Sequence, residues 1–165
     1  MPKSAATLQV TTPGDREIAM SREFDAPRHL VYEAFTTPEL LKRWLLGPDG
    51  WALVVCDLDL RVGGRYRYVW KRERDAFEMG MGGVYRELVP NERIVSTEVF
   101  DEAWYAGEAV GTVTFVERGG KTTLTQTLRY ESKEARDGVL KSGMESGVAA
   151  SYDRLEKILA GLAGC

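Results

Sequence analysis

An apolar pattern near the C-terminus limits the fold more than any other feature of the chain. Leu140, Met144, Val148, Tyr152, Leu155, Leu159 and Leu162 succeed one another at steps of four, four, four, three, four and three. That is the spacing of one face of an α-helix. Ser132 stands where a cap would, with Glu134 in the first turn. A helix over about 133–160 would run ~40 Å at about 1.5 Å per residue. Its single apolar face requires a broad apolar surface to lie on.

The preceding residues supply that surface as strands. Ile18, Met20 and Phe24 alternate within 16–25, the pattern of a first strand. Asp25-Ala26-Pro27 then opens a helix, with Asp25 as the candidate cap and Leu30, Val31, Ala34 and Phe35 at helical spacing. Thr37-Pro38-Glu39 starts a second short helix carrying Leu40, Leu41, Trp44 and Leu45, and Gly47-Pro48-Asp49-Gly50 ends it. Strands are expected at 51–60, 65–71, 79–89, 93–100, 108–117 and 121–130. The breakers between them are Arg61-Val62-Gly63-Gly64, Arg74-Asp75, Pro90-Asn91-Glu92, Ala106-Gly107 and Arg118-Gly119-Gly120. Connections this short imply antiparallel pairing. The expected fold is α+β: a curved antiparallel sheet of seven strands, two short helices after the first strand, and a long C-terminal helix laid across the sheet. Residues 1–15 read as a flexible start, 16–160 as one domain and 161–165 as a tail.

Composition narrows the chemistry. The 165 residues suit one domain, and 22 Lys and Arg against 25 Asp and Glu leave a net charge of −3. A non-specific nucleic-acid binder carries a basic excess, so no nucleic-acid partner is expected. No apolar run approaches the ~20 residues of a membrane span. Met-Pro-Lys-Ser-Ala-Ala-Thr at the start lacks the apolar core of a secretory signal, and the expected compartment is the cytoplasm. The only histidine, His29, reads as a surface residue beside Pro27. Of the two cysteines, Cys56 reads as a small core residue and Cys165 as a free terminal thiol. Metal clusters, serine triads and Cys-His pairs need more than this, so no metal or cofactor is expected.

Strand alternation assigns the faces. Arg65 and Arg67 belong in water, which turns Tyr66, Tyr68 and Trp70 inward. In the last strand Leu124, Gln126, Leu128 and Tyr130 form the inner face and Thr123, Thr125 and Thr127 the outer one. Residues 94–100 stay open: Ile94, Ser96, Glu98 and Phe100 share one face, Val95, Thr97 and Val99 the other. The candidate ligand-binding set is Tyr66, Tyr68, Trp70, Glu98, Gln126, Met144, Val148 and Tyr152, a mostly apolar lining with a few polar groups to orient a ligand. The competing role for each aromatic is plain core filling. An inward, unpaired Glu98 would be a candidate acid or base; an exposed or ion-paired Glu98 would not. Gly143 and Gly147, one turn apart, suggest close approach to the long helix there. Met79-Gly80-Met81-Gly82-Gly83 suggests a bulged strand at a pocket rim.

Several separated motifs also resemble one known family. They begin with Asp25-Ala26-Pro27, Val31, Ala34 and Phe35, then Pro38-Glu39-Leu40, Arg43-Trp44 and Gly47-Pro48. Asp59-Leu60-Arg61-Val62-Gly63-Gly64-Arg65-Tyr66 and the run from Gly83 to Val95 continue the series. Thr112-Val113-Thr114-Phe115, the run from Gly120 to Thr125, and Gly143-Met144-Glu145-Ser146-Gly147 complete it. Together, over roughly 16–160, they resemble the family named for the activator of the Hsp90 ATPase, in its small homologue 1-like branch. That resemblance implies the helix-grip fold of the START / Bet v 1-like superfamily, whose members include lipid and hormone carriers, polyketide cyclases and co-chaperone domains. One departure is Trp44-Leu45-Leu46-Gly47-Pro48, where the family commonly has a Trp-Trp pair before Gly-Pro. The eukaryotic co-chaperone also carries a separate Hsp90-binding domain for which 165 residues leave no room, so an Hsp90 contact is not the expected role. Three functions follow. The leading one is a binding module whose sheet–helix cavity takes an apolar or aromatic small molecule. The others are a cyclase- or dehydratase-like enzyme using the same cavity, and a protein-interaction domain. A homodimer is compatible with the sequence and not fixed by it.

Overall fold

In the computed structural model the described residues are 7–102 and 107–163. Among them the element order is β1 (Gln9–Thr11), β2 (Glu17–Phe24), α1 (Arg28–Thr36), α2 (Pro38–Trp44), β3 (Trp51–Leu58), β4 (Arg65–Arg72), β5 (Glu78–Val89), β6 (Arg93–Phe100), β7 (Ala109–Arg118), β8 (Lys121–Arg129), α3 (Lys133–Lys141) and α4 (Met144–Ala163). The strands form one antiparallel sheet in the order β1-β2-β8-β7-β6-β5-β4-β3. The sheet therefore has eight strands among the described residues rather than the seven expected. The extra one is the three-residue β1, which pairs only with β2 through Gln9↔Ser21, Val10↔Met20 and Thr11↔Ala19. The stretch read as a flexible start thus contributes an edge strand. At the other end α4 continues to Ala163, through most of the expected tail. The Ala106 half of the Ala106-Gly107 breaker, and Cys165, lie outside the described residues.

Alternation governs the strands as expected. In β2 every second residue is buried, with Ile18, Met20, Arg22 and Phe24 facing in. Arg22 on this face is held by Asp153, at 3.1 Å, and by Glu156, both on α4, and its guanidinium sits 4.9 Å from the Phe24 ring centre. A charge on the inner face is tolerated because it reaches partners at the helix surface.

Two helix starts follow different rules. Ser132 caps α3, its Oγ accepting the Ala135 N–H at 3.0 Å, as its sequence position predicts. Asp25 does not cap α1; the cap position is Pro27, which makes no side-chain bond. Instead the Arg28 N–H donates to Glu117 Oε1 of β7 at 3.0 Å, so a tertiary neighbour satisfies the free N–H.

The expected single long helix is two helices. Gly143 has φ +82°, a left-handed conformation that ends the α3 segment and re-aims the chain into α4. Leu140, first of the periodic series, is 37% exposed as a result, and Val139 is buried in its place. The break also divides the core. One cluster lies beneath α4, α1 and α2 and includes Phe24, Trp44, Phe115, Leu124, Tyr152, Leu155 and Leu159. A smaller one lies beneath α3, with Ile18, Met20, Leu128, Tyr130, Ala135 and Val139. No helix of the described residues is long and apolar enough to cross a membrane.

Candidate functional site

Between the inner face of the sheet and the helices lies a cavity of about 500 Å³. Both core clusters border it, so it occupies the space that the split helix leaves unfilled. Alternate residues of three neighbouring strands form its floor: Tyr66, Tyr68 and Trp70 from β4, Met79, Met81 and Tyr85 from β5, and Ile94, Ser96, Glu98 and Phe100 from β6. Met144, Gly147, Val148, Ser151 and Tyr152 of α4 roof it, with Gln126 of β8 beneath Tyr152. All eight residues of the candidate set line this one space.

The open assignment of 94–100 is settled by register. Tyr85 pairs with Ser96 and Met81 with Phe100, which puts Ser96, Glu98 and Phe100 on the face of the inward residues of β5. Val99, on the other face, is 42% exposed. Thr97 shares that outer face yet is buried. Its Oγ1 accepts the Val84 N–H at 2.9 Å, and its carbonyl accepts the Tyr66 hydroxyl. The expected bulge within the Met-Gly run lies further on, between Tyr85 and Glu87.

The rim is pinned. Trp70 Nε1 donates to the Leu45 carbonyl at 2.8 Å, the Gly47 N–H donates to Ser151 Oγ at 2.9 Å, and Arg154 donates to the Gly47 carbonyl at 2.7 Å. These bonds tie the loop after α2 to both sheet and α4. Close approach occurs at Gly147 only. A Cβ there would come 3.3 Å from Pro48 Cδ, whereas nothing lies within 4 Å of one at Gly143. Of the two glycines, Gly147 meets the expectation of a tight contact, and Gly143 is the turn between helices.

The polar groups of the cavity fall into two sets. Tyr152 donates its hydroxyl to Gln126 Oε1 at 3.2 Å, and Tyr66 is spent on the Thr97 carbonyl. Glu98 makes no hydrogen bond or ion pair with any described residue, and burial alone pushes its carboxyl up to about 7. Its surroundings leave it room: Gly83 stands at its level on β5, while Ala109 pairs with it on β7 and a Cβ at Gly111 would be 3.5 Å from Glu98 Oε2. Burial likewise raises the Tyr68, Tyr85 and Tyr152 phenols. Among the described lining residues Glu98 is the one carboxylate, and no Lys, Arg or His joins it.

Sequence reasoning missed Tyr85 and Ser96. The signal for Tyr85 was its even spacing from Met79 and Met81; Ser96 followed only from the register of β6. Elsewhere, His29 is exposed, and Cys56 is buried with its thiol pushed up to about 11 by burial. No group of three or more His, Cys, Asp or Glu among the described residues is arranged to hold a metal ion.

Comparison with known proteins fits this geometry. A solved structure from Rhodobacter sphaeroides is 28% identical, with a TM-score of 0.87 over 93% of this chain and 98% of that one. A protein from Chromobacterium violaceum is 29% identical, with a TM-score of 0.75 over 88% of this chain and 98% of the other. A protein from Mycobacterium smegmatis, 24% identical, shares the fold with a TM-score of 0.82 over 93% and 97% of the two chains. Comparison with curated proteins finds no match. The architecture is the Bet v 1-like fold, commonly a ligand-binding one. The family described as "Activator of Hsp90 ATPase homolog 1-like protein" matches residues 25–160, nearly the whole chain, and the protein belongs to that family.

Proposed function

We propose that this chain binds an apolar or aromatic small molecule in the cavity between sheet and helices. The observation that carries the reading is the cavity itself. A space of about 500 Å³, walled by tyrosine, tryptophan and methionine and floored by the unpartnered Glu98, falls within the 300–1,000 Å³ range of small-molecule sites. A folded domain closes such a space at a cost of lost packing unless something occupies it. The rings suit a flat or branched apolar body, and Glu98, Tyr68 and Gln126 suit one polar end.

The other two readings have less support. No hydrogen bond links Glu98 to a tyrosine among the described residues, so the cavity's hydrogen bonding does not single out a Glu-Tyr pair for acid–base chemistry. A purely protein-docking domain has no use for an unfilled interior. Native mass spectrometry of protein purified from its own host tests the proposal. A stoichiometric small mass released on denaturation supports it. No released mass, together with no thermal shift across a panel of aromatic and lipid compounds, refutes it.

A further inference from the structure

The charges of the cavity are more selective than its shape. Glu98 projects from the middle of the floor, and no cation among the described lining residues neutralises it. The titratable groups around it are phenols and a thiol, uncharged near pH 7: Tyr66 and Tyr68 of β4, Cys56 paired with Tyr68 from β3, Tyr85 of β5, Tyr130 after β8 and Tyr152 of α4. An anionic ligand would meet a carboxylate in an apolar space with nothing of opposite sign, the costliest arrangement available.

Tyr68 feels the Glu98 charge, and Tyr66 stands across Gly83 from Glu98 in the sheet register. Tyr66 and Tyr85 have ring centres 5.4 Å apart, and Tyr66 and Tyr68 5.1 Å apart. The Tyr66 hydroxyl is fixed to the carbonyl of Thr97, the residue before Glu98, so this cluster of rings is anchored beside the carboxylate. Negative ring faces around a lone carboxylate form a site for an organic cation.

We propose that the ligand is an apolar amine, its ammonium group set on the Glu98 carboxylate among Tyr66, Tyr68 and Tyr85, and its apolar body on the methionine and tryptophan walls. This rests on the reading of the cavity as a ligand site. It also explains why the carboxylate is left without a protein partner: the ligand supplies one. Below neutral pH the buried carboxyl takes up a proton and the ammonium loses its counter-charge, so amine binding strengthens as pH rises through the neutral range.

Three probes on one indole body separate the possibilities: tryptamine, tryptophol and indoleacetate, titrated calorimetrically into the wild-type protein and Glu98→Gln. Tryptamine is expected to bind at least about tenfold more tightly than either analogue, and its affinity to rise roughly tenfold between about pH 6 and pH 8 as Glu98 ionises. Glu98→Gln, which keeps the shape, is expected to abolish both the preference and the pH dependence, while Ser132→Ala, at the start of α3 and outside the cavity lining, keeps both. Tighter binding of tryptophol or indoleacetate overturns the amine assignment and leaves the cavity reading standing. So does unchanged tryptamine binding by Glu98→Gln. If none of the three binds while a non-amine is released from host-purified protein, the assignment fails and the cavity reading survives. If none binds, nothing is released and the aromatic and lipid panel gives no thermal shift, both fail.

Discussion

Replacing Glu98 with glutamine should stabilise the empty protein, and by an amount that depends on pH. The carboxyl has no partner among the described residues, and desolvation in the cavity pushes it up to about 7 from the 4.5 of an unperturbed glutamate. The folded state therefore holds this proton over a range where the unfolded chain has released it. Stability then falls as pH rises from about 4.5 to about 7, and levels off above that. That difference is worth about 3 kcal/mol at pH 8, and under about 1 kcal/mol at pH 5. Glutamine has the same shape and never ionises, so Glu98→Gln recovers that difference. For a chain of this size, about 3 kcal/mol appears as roughly 6–12 °C in Tm. Urea denaturation of both proteins at several pH values measures it. Other carboxylates cancel in the comparison, including Asp75 and Asp101, which arginine neighbours hold low. A Glu98→Gln protein less stable than wild type near pH 8 would refute the reasoning, because Glu98 would then have a partner. A stability difference flat with pH would refute it too, since the carboxyl would then titrate normally.

Four further outcomes follow from local geometry. Ser132→Ala removes the acceptor of the Ala135 N–H and should cost about 1 kcal/mol in thermal or chemical unfolding. Gly143→Ala meets no atom within 4 Å but forces a side chain to φ +82°, so it should cost about 1–2 kcal/mol through the backbone alone. Gly147→Ala should be close to neutral by the same assay: helix propensity favours it by about 1 kcal/mol, and the 3.3 Å approach to Pro48 opposes it. In a Cys165→Ser background, Cys56 should react with a thiol reagent only as fast as the protein opens, because burial both covers its thiol and keeps it protonated. Rapid labelling of the native protein would contradict its place in the core.

Much of the site was legible because period-two patterning carries its own check. Arg65 and Arg67 require water, which by itself turns Tyr66, Tyr68 and Trp70 inward, and all three line the cavity. Residues 94–100 carried no such check: either face could have been buried, one with Ile94 and Phe100, the other with Val95 and Val99. Only the pairing of β6 with its neighbours resolved them. The helix break escaped notice for a related reason. A short turn at Ser142-Gly143 leaves the four-residue spacing of apolar positions undisturbed, so periodicity reads straight across it. Gly143 was visible, but its left-handed φ was not.

The sequence by itself determined the class of fold, the order of nearly all its elements, the family, and the inward direction of the tyrosine strand. The family was legible as a resemblance of separated motifs; the rest depends on local spacing, capping and turn chemistry, which act between residues close in the chain. Tertiary structure alone decided that β1 joins the sheet, that Glu117 rather than Asp25 serves the start of α1, and that the last helix splits over two cores. It alone placed Glu98, with no partner among the described residues, in the space between them. Each of those depends on which groups meet across long stretches of chain, and pairing of that kind leaves no mark on the local pattern of residues.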